Sequence, residues 1–297
     1  MGAPSTPPAN FTGGNTQGLD PAPVPTQAGL DPIIVQVITI KRFEFDGIDQ
    51  FKYSTKVLDI GTGTGLWPID FADEFPGAEV IGTDISPIQP AWVPPNVKFE
   101  LEDATDTWTW AENSIDFVHM RYLFGAIADW NGLFKEAFRT CKPGGYIQSC
   151  EIDPAFCCDD GTIDYDLAIR ALNKLVRDGG EKMGRSFCVV EERLQLTAAE
   201  AAGFVDIKEV NYKLPVGGWT KDVRLGEIGQ FLKSTMDNDI EGYTLILWHD
   251  ILGWPKDEYQ VCLMNMRKAL KNKRYHAYMN LRYVYARKPE QEKTDEE

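Results

Sequence analysis

The 297-residue sequence predicts an α/β fold built around a parallel, doubly wound sheet. Two observations favour it. Strand and helix patterns alternate at regular spacing from Lys56 onward. The first strand also runs into a glycine-rich turn, residues 61–65, and a second apolar strand ends on an acid, Asp84. Because the carboxyl ends of parallel strands meet at one edge of a sheet, we expect this turn and this acid to lie together.

The segment ahead of the sheet has a different composition. Residues 1–31 are rich in proline and glycine and almost uncharged, which predicts a disordered tail. Residues 32–55 contain a β-prone run at 33–40 and form a lead-in segment whose structure the sequence leaves open. At the other end, residues 290–297 are a charged tail that we expect to be frayed.

The first half of the sheet follows from apolar runs separated by turn residues. Pro68 is tolerated in the first turn of a helix, Pro76 and Gly77 end that helix, and residues 142–145 (KPGG) form a turn before another strand. The predicted strands are 56–60, 78–84, 97–101, 115–120 and 146–152, and the predicted helices are 66–74 and 130–141.

The second half predicts more helix. Gly179 and Gly180 indicate a break after one helix, and Gly203 is a C-cap for the next. The predicted helices are 164–179, 190–202, 224–238, 240–252 and 256–272, and the predicted strands are 204–213 and 276–286. We interpret the stretches at about 155–202 and 215–272 as helical insertions into the sheet domain.

Composition argues against several classes of function. The formal charge of −15 and the sequence pI near 4.7 disfavour direct binding to nucleic acid. The six cysteines lack zinc-site spacing, so we expect reduced thiols and no metal centre. The sequence has no run of about 18 apolar residues, so it predicts no membrane span, and it has no recognisable signal peptide. We therefore expect a cytoplasmic protein, with the nucleus as the alternative.

The glycine spacing bears on the ligand. The turn reads G-x-G-x-G, and its third glycine comes one residue too early for the G-x-G-x-x-G turn that binds dinucleotides. This spacing favours S-adenosylmethionine (SAM) over a nicotinamide cofactor. An acid at the end of the second strand can accept hydrogen bonds from a ribose.

Five stretches together resemble one family, the fungal LaeA-like methyltransferases of the class I SAM-dependent fold. They are LDIGTGTGLWPIDFADEFPGAEVIGTDISPIQP (58–90), IDFVHMR (115–121), PGGYIQSCEID (143–153), GGWTKDVRLGEIG (217–229) and HAYMNLRYVYARKP (276–289). The resemblance covers about 56–289. It implies a Rossmann-like, seven-stranded sheet with the last strand antiparallel and an added helical cap.

The resemblance also implies a set of SAM contacts. Those beneath the methionine portion are Asp59, Gly61, Thr62, Gly63 and Gly65. Those at the ribose and adenine are Asp84, Ile85, Asp103 and Ala104, and those near the transferred methyl group are Met120 and Arg121.

Catalytic and acceptor residues are harder to assign. His119, at the end of a central strand, is a candidate for a catalytic contact; the alternative is that the alternation of that strand turns it toward a covering helix. Trp219 is the best candidate for contact with the acceptor. We expect transfer of a methyl group to an oxygen, nitrogen or sulfur atom of a small secondary metabolite. The alternative is a LaeA-like nuclear regulator that acts through protein partners.

Overall fold

The computed structural model describes residues 55–290, and these form one seven-stranded sheet in the order β3-β2-β1-β4-β5-β7-β6. The first five strands are parallel to one another, and β7 lies antiparallel between β5 and β6. This confirms the predicted α/β sheet and its antiparallel last strand. The strands are β1 (Lys56–Ile60), β2 (Glu79–Asp84), β3 (Val97–Leu101), β4 (Ile115–Arg121), β5 (Cys141–Ile152), β6 (Val205–Pro215) and β7 (Tyr278–Arg287).

Within residues 55–290, six α-helices and one π-helical turn surround the sheet. They are α1 (Leu66–Glu74), α2 (Trp130–Thr140), α3 (Leu167–Met183), α4 (Leu194–Ala202), α5 (Val223–Leu245), the π-helical turn Ile246–Ile251 and α6 (Lys256–Leu270). Asp129, Asp166 and Asp222 each cap a helix N-terminus, because their carboxylates accept hydrogen bonds from backbone amides of the first turn.

The helices form two layers. On one face, α2 and α4 pack on each other over a core that includes Val118, Phe134 and Ile147. On the other face, α1 covers one half of the sheet through Trp67 and Phe71. The helices α3, α5 and α6 form a cap over β5, β6 and β7 on this second face.

Several predicted boundaries are wrong; the helices predicted to start at 164 and 190, for example, start at Leu167 and Leu194. The fifth strand begins at Cys141 and not at residue 146, although residues 142–145 interrupt its pairing with β4: the register passes from Ile115–Cys141 to Phe117–Tyr146, and Gly144 has a φ of 78°. The predicted break at Gly179 and Gly180 does not occur, since α3 continues to Met183. The last strand begins at Tyr278, two residues later than predicted.

Some predictions concern residues outside the part of the chain that the structure describes. The predicted tail 1–31, the lead-in segment up to residue 54 and the charged residues 291–297 lie outside the described residues. Across residues 55–290, no helix has both the length and the apolar character needed to cross a membrane. The same part of the chain contains no group of three or more His, Cys, Asp or Glu side chains arranged to hold a metal ion.

Candidate cofactor-binding site

The glycine-rich turn joins the end of β1 to the start of α1. Its three glycines all have left-handed backbone angles, with φ of 66° at Gly61, 56° at Gly63 and 77° at Gly65. Glycine adopts this conformation without the steric cost that a side chain brings. Thr62 ties the turn to the neighbouring strand, because its backbone N–H donates to Thr83 O at 2.8 Å.

The turn is also closely packed. A Cβ atom at Gly61 would lie 2.5 Å from Leu123 Cδ2, and one at Gly65 would lie 2.4 Å from Phe99 Cζ. Both positions therefore require glycine for space as well as for conformation. The result is a cradle of bare backbone at the carboxyl edge of the sheet, where open α/β folds bind their ligands.

Asp59 supports this turn from within the core. The residue is 3% exposed, its Oδ2 accepts a hydrogen bond from Thr62 Oγ1 at 2.6 Å, and its Oδ1 lies 2.6 Å from His119 Nδ1. Both carboxylate oxygens therefore contact side chains of the protein. This geometry orients the turn through Thr62.

His119 lies on the α1 face of β4. The residue is 2% exposed, and its ring stacks on Trp67, with the centroids 3.8 Å apart and the planes 1° from parallel. Burial lowers the pKa of His119, and the opposing effect of Asp59 is smaller. The structure thus places His119 against a covering helix, in contact with Asp59.

Asp84 lies at the end of β2 and is half-buried. Its Oδ2 accepts a hydrogen bond from Gly63 N at 2.8 Å, and its Oδ1 accepts one from Ser86 N at 2.9 Å. An ionised carboxylate has about four acceptor positions, so two backbone bonds leave capacity for a ligand. Beside it, Ile85 is 44% exposed and offers an apolar surface.

Asp103 and Ala104 follow β3 at the same edge. The loop that carries them is joined to Asp84, because Glu102 N donates to Asp84 O at 3.1 Å. Asp103 is exposed, and its Oδ1 accepts hydrogen bonds from Thr105 N at 2.8 Å and Thr105 Oγ1 at 2.7 Å. The structure therefore brings this pair next to the β2 acid.

The residues at the end of β4 point in different directions. Met120 is fully buried in the core beneath α2, whereas Arg121 is half-buried and its guanidinium carbon lies 5.6 Å from the Tyr122 ring centroid. Both still belong to the strand next to β1, which carries the glycine-rich turn.

Trp219 lies apart from the other predicted residues. It follows β6, four strands away from β1 in the sheet order. At about 4.8 Å per strand this separation is roughly 19 Å. Trp219 is 37% exposed, its Nε1–H donates to Ala277 O at 2.9 Å, and its ring centroid lies 5.1 Å from that of His276.

One residue of the site escaped the sequence analysis. Glu151, in β5, is fully buried, and its two carboxylate oxygens accept hydrogen bonds from Leu123 N and Phe124 N, each at 3.0 Å. These amides follow β4 and lie 28 and 27 positions earlier in the chain. No sequence spacing signals a contact of this kind.

Comparison with known proteins gives a family. The model of the family described as "Methyltransferase domain" matches residues 39–209. Methyltransferase pytC of Aspergillus terreus is 33% identical over 234 residues, which cover 78% of this chain and 71% of that protein. The secondary metabolism regulator LAE1 of Cochliobolus heterostrophus is also 33% identical, over 80% of this chain and 77% of its own length.

Solved structures are similar in fold. Phosphoethanolamine N-methyltransferase 2 of Haemonchus contortus, in complex with SAM, superposes with a TM-score of 0.51 at 21% identity. That match covers 86% of this chain and 53% of the other. YcgJ of Bacillus subtilis gives a TM-score of 0.50 at 17% identity, over 85% of this chain and 97% of its own. By fold, glycine-rich turn and sequence, the chain belongs to the class I SAM-dependent methyltransferases, in their LaeA-like group.

Proposed function

We propose that this protein binds SAM at the carboxyl edge of β1, β2 and β4 and transfers the methyl group to a small acceptor. The observation that carries the proposal is the connection between the turn and the acid. The left-handed Gly63 donates its backbone N–H to Asp84 at 2.8 Å, so the two predicted contacts form one rigid unit.

The residues present fit this cofactor. The cradle of bare backbone at Gly61–Gly65 would hold the methionine portion, since a Cβ atom at either end of it would collide with the protein. The free acceptor positions of Asp84 suit a ribose diol. In this arrangement Ile85 and the pair Asp103–Ala104 would border the adenine.

Methyl transfer from SAM requires little acid or base catalysis from the protein. The bound cofactor supplies an electrophilic methyl group on a sulfonium, and alignment of the acceptor atom in line with it can provide much of the acceleration. The 2% exposure of His119 and its stacking on Trp67 argue for a role in holding Asp59. We therefore assign His119 as a positioning residue and leave the acceptor without a dedicated base.

We place the acceptor over β4 and β5, beside Arg121 and Tyr122, because this edge lies between the glycine-rich turn and the helical cap. Its reacting atom would be an oxygen, nitrogen or sulfur. Trp219, four strands from β1, would contact only an acceptor that extends toward the cap. The similarity to proteins named for secondary metabolism supports a secondary metabolite as the acceptor, and we propose the cytoplasm as the compartment of the reaction.

A second candidate function is regulation. Proteins named secondary metabolism regulators are 30–33% identical to this chain, which is close to the 33% of pytC. On this alternative the protein would act in the nucleus through protein partners. Either candidate function uses the same cofactor site.

Calorimetric titration with SAM and S-adenosylhomocysteine (SAH) tests the cofactor site. Asp84→Ala removes an ionised hydrogen-bond acceptor, and losing bonds of this type should weaken binding at least about tenfold. Glu79→Ala is the matched control, because Glu79 is exposed at the opposite end of the same strand. The proposal fails if the wild-type protein binds neither ligand, or if both variants bind as the wild type does.

Incubation with isotopically labelled SAM separates the two candidates. Fungal metabolite fractions and fungal protein fractions would be offered as acceptors in parallel. Label in an apolar small molecule would support the tailoring enzyme. Label confined to protein would contradict a small-molecule acceptor and favour the regulator.

A further inference from the structure

The turn that follows β4 has an unusual backbone. Tyr122 has a φ of 56°, in the left-handed region that a bulky aromatic residue rarely adopts. Such a residue costs free energy and persists only where the surrounding structure holds it in place. The contacts of this turn (residues 122–125) identify the groups that hold it in this conformation.

Two consecutive residues of β5 hold three consecutive amides of the turn. Tyr122 N donates to Cys150 O, Leu123 N donates to Glu151 Oε1, and Phe124 N donates to Glu151 Oε2, all at 3.0 Å. Glu151 is fully buried, so these backbone amides take the place of water around its carboxyl group.

The turn at residues 122–125 also packs against the candidate cofactor site. A Cβ atom at Gly61 would lie 2.5 Å from Leu123 Cδ2, so this leucine packs directly on the glycine-rich turn. On its other side, Gly125 N donates to Ser186 O at 2.8 Å, and a Cβ atom at Gly125 would lie 2.5 Å from the Phe187 ring. The turn has little room to shift in either direction.

Asp153, the residue that follows β5, makes a similar pair of contacts. It is 2% exposed, and its oxygens accept hydrogen bonds from Val190 N at 2.8 Å and Glu191 N at 2.9 Å. These amides belong to the segment that contains Ser186 and Phe187. Two buried acids, one at the end of β5 and one just after it, thus hold the two loops that meet at Gly125.

We propose that Glu151 is a positioning residue for the methyl transfer proposed above: its carboxyl group holds the strained turn whose Leu123 supports Gly61 in the cofactor cradle. The expected effect of Glu151 on ligand affinity rests on the SAM binding proposed above. We call the contact between the Glu151 carboxyl group and the amides of Leu123 and Phe124 the clamp. The clamp is present in the protein without ligand.

The buried position should also make the clamp sensitive to pH. Burial raises the pKa of Glu151 to about 8, with a small further rise from Asp153 and opposition from Arg121 of β4 and the two bound amides. Tyr122 adjoins it in the turn, and Arg282 of β7 lies opposite it in register. Burial raises the pKa of Asp153 to about 6, so the two acids titrate in separate ranges.

Ionised acceptors bind amides more strongly than neutral ones. If the ligand-bound state favours the well-formed clamp, then ligand binding lowers the pKa of Glu151 and releases a proton. We therefore expect the affinity for SAH to increase as the pH rises through about 8.

Glu151→Gln tests the clamp, because the amide group has the same shape but presents an N–H to one backbone donor. Above pH 8, where the wild-type carboxyl is ionised, we expect the SAH dissociation constant to rise about tenfold in the variant, and we expect the increase in affinity near pH 8 to disappear. Glu200→Gln makes the same chemical change on the exposed surface of α4 and should match the wild type. Comparison with this control also removes the titration of SAH itself.

Amide hydrogen exchange gives a readout that needs no ligand. Above pH 8, the Leu123 and Phe124 amides of Glu151→Gln should exchange at least about tenfold faster than those of Glu200→Gln. In the wild type their protection factors should rise between pH 7 and 9, which tests the clamp even if the variant fails to fold. Equal exchange in the two variants, or flat wild-type protection, overturns the proposal.

The two proposals can fail separately. If the wild type binds no SAH, the cofactor proposal fails, and the exchange data still decide whether Glu151 clamps the turn. If Glu151→Gln binds SAH as tightly as the wild type, the positioning role fails while the cofactor site stands.

Discussion

At the residue scale, His119 should link stability to pH. Burial lowers its pKa below the ordinary 6.5, so the unfolded chain binds a proton more readily than the folded protein. Stability is then lost as the pH falls below about 6.5, by up to about 1.4 kcal/mol per pH unit. Urea unfolding of wild type and His119→Gln between pH 5 and 7 would measure the difference.

The variant is needed because other buried groups titrate nearby. Glu151 and Asp153 have raised pKa values, about 8 and about 6, so they take up protons on folding and give the opposite slope. Subtracting the variant from the wild type isolates the histidine. Identical pH slopes in the two proteins would mean that His119 does not titrate differently on unfolding.

Gly61 offers a second test at this scale, with a matched partner elsewhere in the chain. Gly61 and Gly184 both have a φ of 66°, but a Cβ atom at Gly184 would have no heavy atom within 4 Å. Alanine at either position has the cost of a left-handed residue, about 1–2 kcal/mol. Only at Gly61 would it also collide with Leu123.

Gly61→Ala should therefore lose about 1–3 kcal/mol more unfolding free energy than Gly184→Ala, and only Gly61→Ala should weaken SAH binding. Chemical denaturation and calorimetry would measure the two effects. Equal losses of stability would show that Leu123 moves aside without cost.

At the scale of elements, α5 is divided by Asp239. This residue has non-helical angles, with φ of −140° and ψ of 41°, and its Oδ1 accepts a hydrogen bond from Gly242 N at 2.9 Å. It acts as an N-cap that restarts the helix. The sequence predicted two helices, 224–238 and 240–252, and the division between them is confirmed.

Asp239→Ala should reduce the unfolding free energy by about 1 kcal/mol, the usual cost of losing an N-cap, whereas Asp239→Asn should retain most of it. Asn238→Ala is the control, because this neighbouring side chain is exposed within the helix. Thermal unfolding of the three variants would compare them. A loss in the control as large as that in Asp239→Ala would contradict the capping role.

Other elements show where sequence patterns stop being informative. The strands around the glycine-rich turn were predictable, because short apolar runs ending in glycine or an acid have few alternatives. Gly179 and Gly180 misled the prediction of α3, because these glycines allow close packing within a continuous helix. A Cβ atom at Gly179 would lie 2.8 Å from Leu247 Cδ2, and one at Gly180 would lie 2.8 Å from Arg185 O.

Some residues of the candidate site could be predicted from the sequence, and others could not. Gly61, Gly63, Gly65 and Asp84 follow from local spacing, and the structure brings them together as expected. Glu151 could not be predicted, since its function depends on contacts with amides in a neighbouring strand's loop. Burial of an acid by tertiary packing leaves no periodic trace in a single sequence.

At the scale of the whole molecule, the cofactor site and most of the cap lie at different positions along the sheet. Trp219→Ala should leave the SAH dissociation constant within about twofold of the wild type, because Trp219 follows β6, the fourth strand away from β1. It should lower the melting temperature, since the bond from Nε1 to Ala277 O and the contact with His276 are lost.

Trp219→Phe keeps most of the ring and removes only the N–H donor, so it should fall between the wild type and Trp219→Ala in stability. Calorimetry and thermal unfolding of both variants would measure these effects. A large loss of SAH affinity in either variant would show that the two halves of the sheet are coupled.

The position of β7 has a consequence for how the protein is made. This strand lies between β5 and β6, yet it follows both of them in the chain. During synthesis, β5 and β6 must therefore leave the ribosome with a gap between them, each with an unpaired edge that could bind another chain. Nascent molecules stalled before residue 278 should be targets for chaperones, and insertion of β7 should release them.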